Sequence, residues 1–351
     1  ADDDTHGAEL WVSDGTSGGT TLLRDIRPLT LDSDPAGLTN INGTVFFSAG
    51  DGAGSISNRE LWKTDGTAAG TVQVVDLVPG VSNSNPEQLT NVNGTLFFVA
   101  NGPDSHGIEL WKSDGTAAGT VEIKDIKPGL FGSNPAELTN VNGTVFFAAD
   151  DGVNGTELWK SNGTTAGTVL VKDIRVGSAS SSPQDLFNLN GVLYFSAYDE
   201  ATGRELWRSD GSAAGTYRVK DINLGSADSD PENFAAVGST LFFAADNLAT
   251  GTEIWASNGT EAGTYLVADL NSGSSNSNPE WLTTFNNAVY FAANGVFGTE
   301  LWKSDGTAAG TVVIADIQPG GTSSFPRELA VVGDRLFFSA DGPAPGANSG
   351  A

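Results

Sequence analysis

The sequence predicts an all-β chain, a seven-bladed β-propeller of four-stranded antiparallel blades, and three observations carry that prediction. The first is a repeat. The tryptophan of an E-L-W or E-I-W triplet falls at Trp11, Trp62, Trp111, Trp159, Trp207, Trp255 and Trp302, at spacings of 51, 49, 48, 48, 48 and 47 residues. A β-helix needs a far shorter period, and separate domains of this size are hard to stabilise in a chain with no cysteine. The second is composition: 45 glycines, 14 prolines and 18 phenylalanines in 351 residues describe many short strands joined by tight turns. The third lies at the ends. The chain opens on a third and fourth strand, Glu9 to Ile26, and finishes on a first and second, Glu328 to Ala340, which together make one blade and are expected to close the ring.

Within one repeat, Pro135 to Ile174, four apolar segments alternate with turn signals. The first strand is expected at Glu137 to Val141. Asn142-Gly143 is a two-residue hairpin signal leading to a second strand, Thr144 to Ala149. A Gly/Asn-rich loop leads to a third, Thr156 to Ser161, and Asn162-Gly163-Thr164 turns the chain into a fourth, Thr168 to Ile174. The longest link, Arg175 to Gln184, passes from an outer strand to the next inner one. Segments such as VFFAA and ELW are apolar on both faces, as strands covered on both sides have to be. One propeller domain is expected over 1–341, with blades near 36–77, 86–126, 135–174, 184–222, 232–270 and 280–317 and a closing blade of 7–26 plus 328–341. Residues 342–351 read as a flexible Gly/Pro/Ala tail.

Acidic residues outnumber basic ones 43 to 17, for a formal net charge of −26. Such a surface repels phosphate backbones and anionic lipid, so neither nucleic acid nor membrane insertion is expected. Cations are the natural counter-species. The chain opens Ala1-Asp2-Asp3-Asp4 and contains no methionine, which fits a processed segment that has lost a signal peptide.

The string ELWKSDGTAAGT at Glu109 to Thr120, repeated as ELWKTDGTAAGT from Glu60 and ELWKSDGTAAGT from Glu300, resembles the ELWxxDGTxxGT repeat of bacterial secreted and surface proteins. The likeness covers nearly the whole chain. Departures are Asn162 and Asn258 in place of the aspartate and Ser212 in place of the threonine. The resemblance implies an extracellular or cell-surface location of bacterial type and no particular activity, because the family is named for its repeat.

Asp14, Asp65, Asp114, Asp210 and Asp305 stand before glycine between third and fourth strands. Their carboxylates could bind calcium, but an Asx turn suffices and asparagine in two copies fits it. Glu9, Glu60, Glu109, Glu157, Glu205, Glu253 and Glu300 occur once per blade, as do Asp25, Asp76, Asp125, Asp173, Asp221, Asp269 and Asp316. A catalytic site needs one or two copies of a residue, so both sets are expected as hydrogen-bonded structural groups, beside the repeat tryptophans. The loops between second and third strands are expected on the same side as the inter-blade loops. There Asp51, Asp104, Asp150, Asp151, Asp199, Asp246 and Asp341 join linkers such as Asp228-Ser229-Asp230. These oxygens suit calcium, and a solvated acidic rim is the other reading, since no EF-hand signature is present.

Trp281 is the one tryptophan outside the repeat position, and with Phe131, Phe325 and Phe297 it marks an apolar patch for a ligand or partner. His6 and His106 share one loop position and read as loop residues. No G-x-S-x-G elbow, H-E-x-x-H site or phosphate-binding glycine loop occurs. The expected function is therefore a non-catalytic binding or assembly module, such as a matrix or filament subunit that self-associates or meets neighbouring surface proteins, with calcium as its one candidate cofactor. Two alternatives stay open: a carbohydrate-binding propeller that takes glycans, and a hydrolase with a carboxylate pair at the channel mouth.

Overall fold

The computed structural model describes residues 1–52, 58–80, 82–103 and 106–342, so Asp104 and all but the first residue of the predicted tail lie outside them. Among the described residues all regular structure is β, in six four-stranded and two two-stranded antiparallel sheets. Two compact units divide the chain, Ala1–Ser182 and Pro183–Ala351.

The first unit begins with the two-stranded sheet β1 (Leu10–Val12) and β2 (Thr21–Arg24). Three meanders follow in chain order: β3 (Ala36–Ile41), β4 (Thr44–Gly50), β5 (Arg59–Thr64) and β6 (Val72–Val75); β7 (Glu87–Val92), β8 (Thr95–Asn101), β9 (Ile108–Ser113) and β10 (Val121–Lys124); β11 (Ala136–Val141), β12 (Thr144–Asp150), β13 (Thr156–Ser161) and β14 (Val169–Lys172). The second unit has three more: β15 (Gln184–Leu189), β16 (Val192–Asp199), β17 (Gly203–Ser209) and β18 (Tyr217–Lys220); β19 (Glu232–Val237), β20 (Thr240–Asp246), β21 (Thr252–Ser257) and β22 (Thr264–Ala268); β23 (Glu280–Phe285), β24 (Ala288–Gly295), β25 (Gly298–Ser304) and β26 (Val312–Ala315). It finishes with β27 (Arg327–Val332) and β28 (Arg335–Ser339) as a sheet of two. The half-blades predicted at the chain ends thus exist as hairpins, and closure of a ring by their pairing is not seen in this strand order.

The repeated Phe-Phe of the second strand explains how meanders stack. Successive side chains of a strand point to opposite faces. Phe98 of β8 packs back on Phe46, Leu61 and Val74 of the preceding sheet, while its neighbour Phe97 packs forward with Leu110 and Ile123 onto Val145, Phe147 and Trp159 of the next. The second unit repeats the pattern, with Tyr194 and Leu206 against Phe243 and Trp255, then Phe242 and Ile254 against Phe291 and Trp302. Lysines staple neighbours together: Lys63 Nζ donates to Gly115 O and Lys112 Nζ to Gly163 O, both at 2.8 Å.

Two details of the first strands position the site. Asn142 and Gly143, at φ 52° and 85°, make the hairpin into β12, as Asn-Gly does in a type I′ turn. At the other end, the second residue of each first strand takes a left-handed conformation where the register slips, at Gly37, Gln88, Glu137, Asp185, Asn233, Trp281 and Glu328. From there Gln88 reaches the next meander, donating to Pro135 O and accepting from Leu138 N, and Asn233 donates to Pro279 O.

Candidate functional site

Each repeated glutamate is a buried hub. Glu205 accepts from the backbone N–H of Ile222 (2.9 Å) and Asn223 (3.2 Å) and from Ser229 Oγ (2.8 Å). Glu60 accepts from Leu77 N, Ser84 N and Ser84 Oγ in the same way. They tie the third strand to the inter-blade loop, and burial raises Glu60, Glu157 and Glu253 and pushes Glu109 up to about 6 and Glu205 up to about 7. At the opposite turn, Asp114 Oδ1 accepts from Thr116 N (2.8 Å) and Thr116 Oγ1 (2.7 Å), which hold its pKa below the usual range. Asn162 and Asn258 make the same pair of bonds through Oδ1. The tryptophans of the six complete meanders are buried, and Trp111 and Trp302 donate to Ala100 O and Ala293 O.

The predicted calcium ligands are mostly engaged locally. Asp51 accepts from Asn58 Nδ2, Asp151 from Val153 N and Asn154 N, Asp199 from Ala201 N and Thr202 N, and Asp246 from Leu248 N. Asp150 pairs with Lys127, and Asp341 lies 3.7 Å from Arg327. Among the described residues no three His, Asp or Glu side chains form a group able to hold a metal ion. Trp281, Phe131, Phe325 and Phe297 are all exposed, on different first strands and loops. His6 lies 2.8 Å from Asp3 and His106 3.1 Å from Glu122.

The features that sequence reasoning missed are two arginines. The residue before the repeated glutamate is Ala8, Ile108, Thr156, Thr252 or Thr299 in five copies but Arg59 and Arg204 in the other two. That substitution was the available signal. In the second unit Arg204 lines a cavity of about 370 Å³ with Asp185, Ser196, Asp230, Glu232, Asp246 and Asn278 among its walls. Arg204 Nη1 donates to Ser196 Oγ (3.3 Å) and Nε lies 3.9 Å from Asp230 Oδ1. In the first unit Arg59 lines a cleft of about 550 Å³ with Asp34, Gly37, Ser48, Glu87 and Gln88.

Two acids of the second-unit cavity are displaced from ordinary behaviour. Burial, then the negative charge of Asp185, Glu280 and Asp230, pushes Glu232 up. Burial and Asp228 push Asp230 up as well, while Arg204 opposes the shift. Arg204 acts on Asp230, whereas the charges that act on Glu232 are all negative.

No protein-family model and no curated protein matches the chain. Solved structures do. A prolyl endopeptidase structure aligns with TM-score 0.50 and 10% identity over 89% of this chain and 50% of that one. A puromycin hydrolase variant gives TM-score 0.46 and 15% identity over 88% of this chain and 50% of that one. The β-propeller domain of the trilobed protease from Pyrococcus furiosus, described as having an open velcro topology, gives 0.44 and 8% over 80% and 84%. At these identities the likeness is one of β-propeller fold, and the chain spans about half the length of the first two structures. The likeness to the prolyl endopeptidase corrects the expectation of a non-catalytic module, and of a chain that is not an enzyme: that expectation rested on missing linear motifs, and the fold is one that an enzyme structure also contains.

Proposed function

We propose that this chain works in hydrolysis, with Glu232 as general acid and Asp230 as general base in the second-unit cavity. The observation that carries the reading is the pair itself: two carboxylates in one cavity, both pushed up by burial, of which Arg204 offsets only one. Glu232 would give its proton to the leaving group while Asp230, the acid beside Arg204, takes a proton from the attacking water. The hydrolases and proteases of like fold add support of class alone. The test is a screen of the whole chain against nitrophenyl glycosides and prolyl and alanyl nitroanilides, repeated with Glu232→Gln and Asp230→Asn. Turnover that falls in both variants supports the assignment; no turnover of any substrate, or turnover that both variants retain, removes it.

The fold reading that goes with it is a closed seven-bladed ring in which β1 pairs with β28. Six complete sheets support the register: each sets the second residue of its aromatic pair, a phenylalanine, opposite the repeat tryptophan, as Phe147 opposes Trp159, which would place Phe338 opposite Trp11 and Phe337 opposite Val12. A double variant, Val12→Cys with Phe337→Cys, tests this cleanly in a chain without cysteine. Rapid intramolecular disulfide formation is expected, and two free thiols under the same oxidation would refute closure.

A further inference from the structure

The Arg59 guanidinium donates to four neutral acceptors: Nη1 to Ser48 O (3.3 Å) and Ser48 Oγ (3.0 Å), Nη2 to Ser33 O (3.5 Å) and Asp34 O (2.9 Å). Among the described residues no Asp or Glu forms an ion pair with it, in a chain that has 43 acids. The sequence explains why. Where Asp230 stands beside Arg204, the equivalent residue beside Arg59 is Asn85. A guanidinium held by carbonyls but not neutralised attracts an anion, and with both Nη groups already donating it meets one carboxylate oxygen through its charge and Nε–H, which leaves the second oxygen to a neighbouring donor.

A second observation points to the same place. At the left-handed position of the first strand, Gln88 sends its side chain across to the next meander, whereas β3 has Gly37, with no arm to send. The gap between β3 and β7 stays open there and forms the cleft of about 550 Å³ on whose wall Arg59 lies.

We infer that the Arg59 cleft is a binding site for a small ligand carrying one carboxylate. Arg59 forms the ion pair. Ser48, whose Oγ accepts from Arg59, uses its own hydroxyl proton on the second carboxylate oxygen. Asp34 and Glu87, exposed on the rim, repel further negative charge, so the rest of the ligand is neutral or cationic. The inference is independent of the hydrolytic reading, since none of these residues lines the second-unit cavity.

The experiment is calorimetric titration of the whole chain with N-acetyl-alanine, which presents a peptide carboxylate, with glucuronate, which presents a sugar carboxylate, and with N-acetyl-alanine amide as the neutral control. Saturable binding of at least one acid and none of the amide is expected, and which acid binds identifies the source. Arg59→Gln should weaken binding about tenfold or more, equivalent to about 1.4 kcal/mol. Glu87→Lys changes only an exposed rim charge and should strengthen it, which decides the matter even where Arg59→Gln does not fold. No saturable binding of either acid, equal binding of the amide, or no strengthening in Glu87→Lys overturns the inference.

Discussion

The Arg59 cleft and the Arg204 cavity are one frame built twice. Each has an arginine before the hub glutamate, a serine on the second strand that accepts from it (Ser48, Ser196) and a glutamate opening the next first strand (Glu87, Glu232). Besides Asp34 against Ser182, Ala36 against Gln184, Gln88 against Asn233 and Asn101 against Asp246, they differ at two further equivalent positions, Gly37 against Asp185 and Asn85 against Asp230. In the second unit those two residues add negative charge, pair the arginine and push neighbouring acids up. In the first they leave the arginine unneutralised and the cleft wider. The repeat fixes where a cavity forms, and residues outside the ELW motif set the charge of its walls.

The largest expected effect removes that difference. Asp230→Asn gives the second-unit cavity the amide its counterpart has, and hydrolysis should fall by about 10²–10⁴ in kcat, as it should for Glu232→Gln. Steady-state kinetics on whichever substrate the screen returns provide the check. The mirror change, Asn85→Asp, hands Arg59 the partner that Arg204 possesses. N-acetyl-alanine should then bind the first-unit cleft about tenfold more weakly. Were both changes silent, charge at these two positions would not distinguish the cavities.

The shared frame should respond alike in both units. Phe47 and Phe195 are the equivalent, fully buried phenylalanines opposite the repeat tryptophan in the two sheets that carry the arginines. Phe47→Ala and Phe195→Ala should each cost about 3–5 kcal/mol in urea unfolding. Phe338 occupies the same repeat position on β28 but is 36% exposed. As it stands Phe338→Ala should cost little; a loss matching the other two would instead point to a covered, closed blade.

Much of that frame was legible. In the Pro135 to Ile174 repeat the third strand falls on the predicted residues, Thr156–Ser161, and the first two differ from prediction by one residue at one end, because Asn142-Gly143 dictates the hairpin. The fourth strand is shorter than predicted, Val169–Lys172 against Thr168 to Ile174: Ile174 leaves the ladder to donate its N–H to Glu157, and Thr168 Oγ1 turns back to Thr164 O. The cavities were not legible. Arg59 and Arg204 occur in only two of the seven copies, so the repeat pattern itself does not mark them. Asp230 and Glu232 look like ordinary linker acids until folding sets Asp185 and Glu280 against them.

The hub glutamates give a smaller, pH-dependent contrast. Glu205 titrates near 7 in the folded chain, against 4.5 for an unperturbed glutamate, and burial raises Glu60 of the first unit too. A raised folded pKa means that the native state holds the proton more tightly. Its contribution is complete below about 4.5 and is lost as pH rises through the folded value. Urea midpoints should therefore increase from pH 7.5 to pH 5, and Glu205→Gln should flatten that slope more than Glu60→Gln. A midpoint that falls on acidification over this interval would mean that the hubs titrate as ordinary carboxylates.

The smallest effects belong to the turns at the far ends of the same two blades. Asp65 Oδ1 accepts from Thr67 N and Oγ1, and Asp210 Oδ1 from Ser212 N and Oγ. Both carboxylates are exposed and held below 3.8 by those bonds, so their contribution is present at neutral pH and lost as pH falls through the lowered value. What the turn needs is one acceptor atom, not a charge, because Asn162 and Asn258 do the same work in two other blades. Asp65→Asn and Asp210→Asn should leave the urea midpoint at pH 7 nearly unchanged, and the alanine variants should lower it slightly and equally. Gly70→Ala and Gly215→Ala should cost more than either, since a Cβ would sit 2.0 Å from Asp65 Oδ1 and 2.1 Å from Asp210 Oδ1. A clear loss in the asparagine variants would show that these turns use the negative charge itself, and would separate the five aspartate blades from the two asparagine blades in function as well as in sequence.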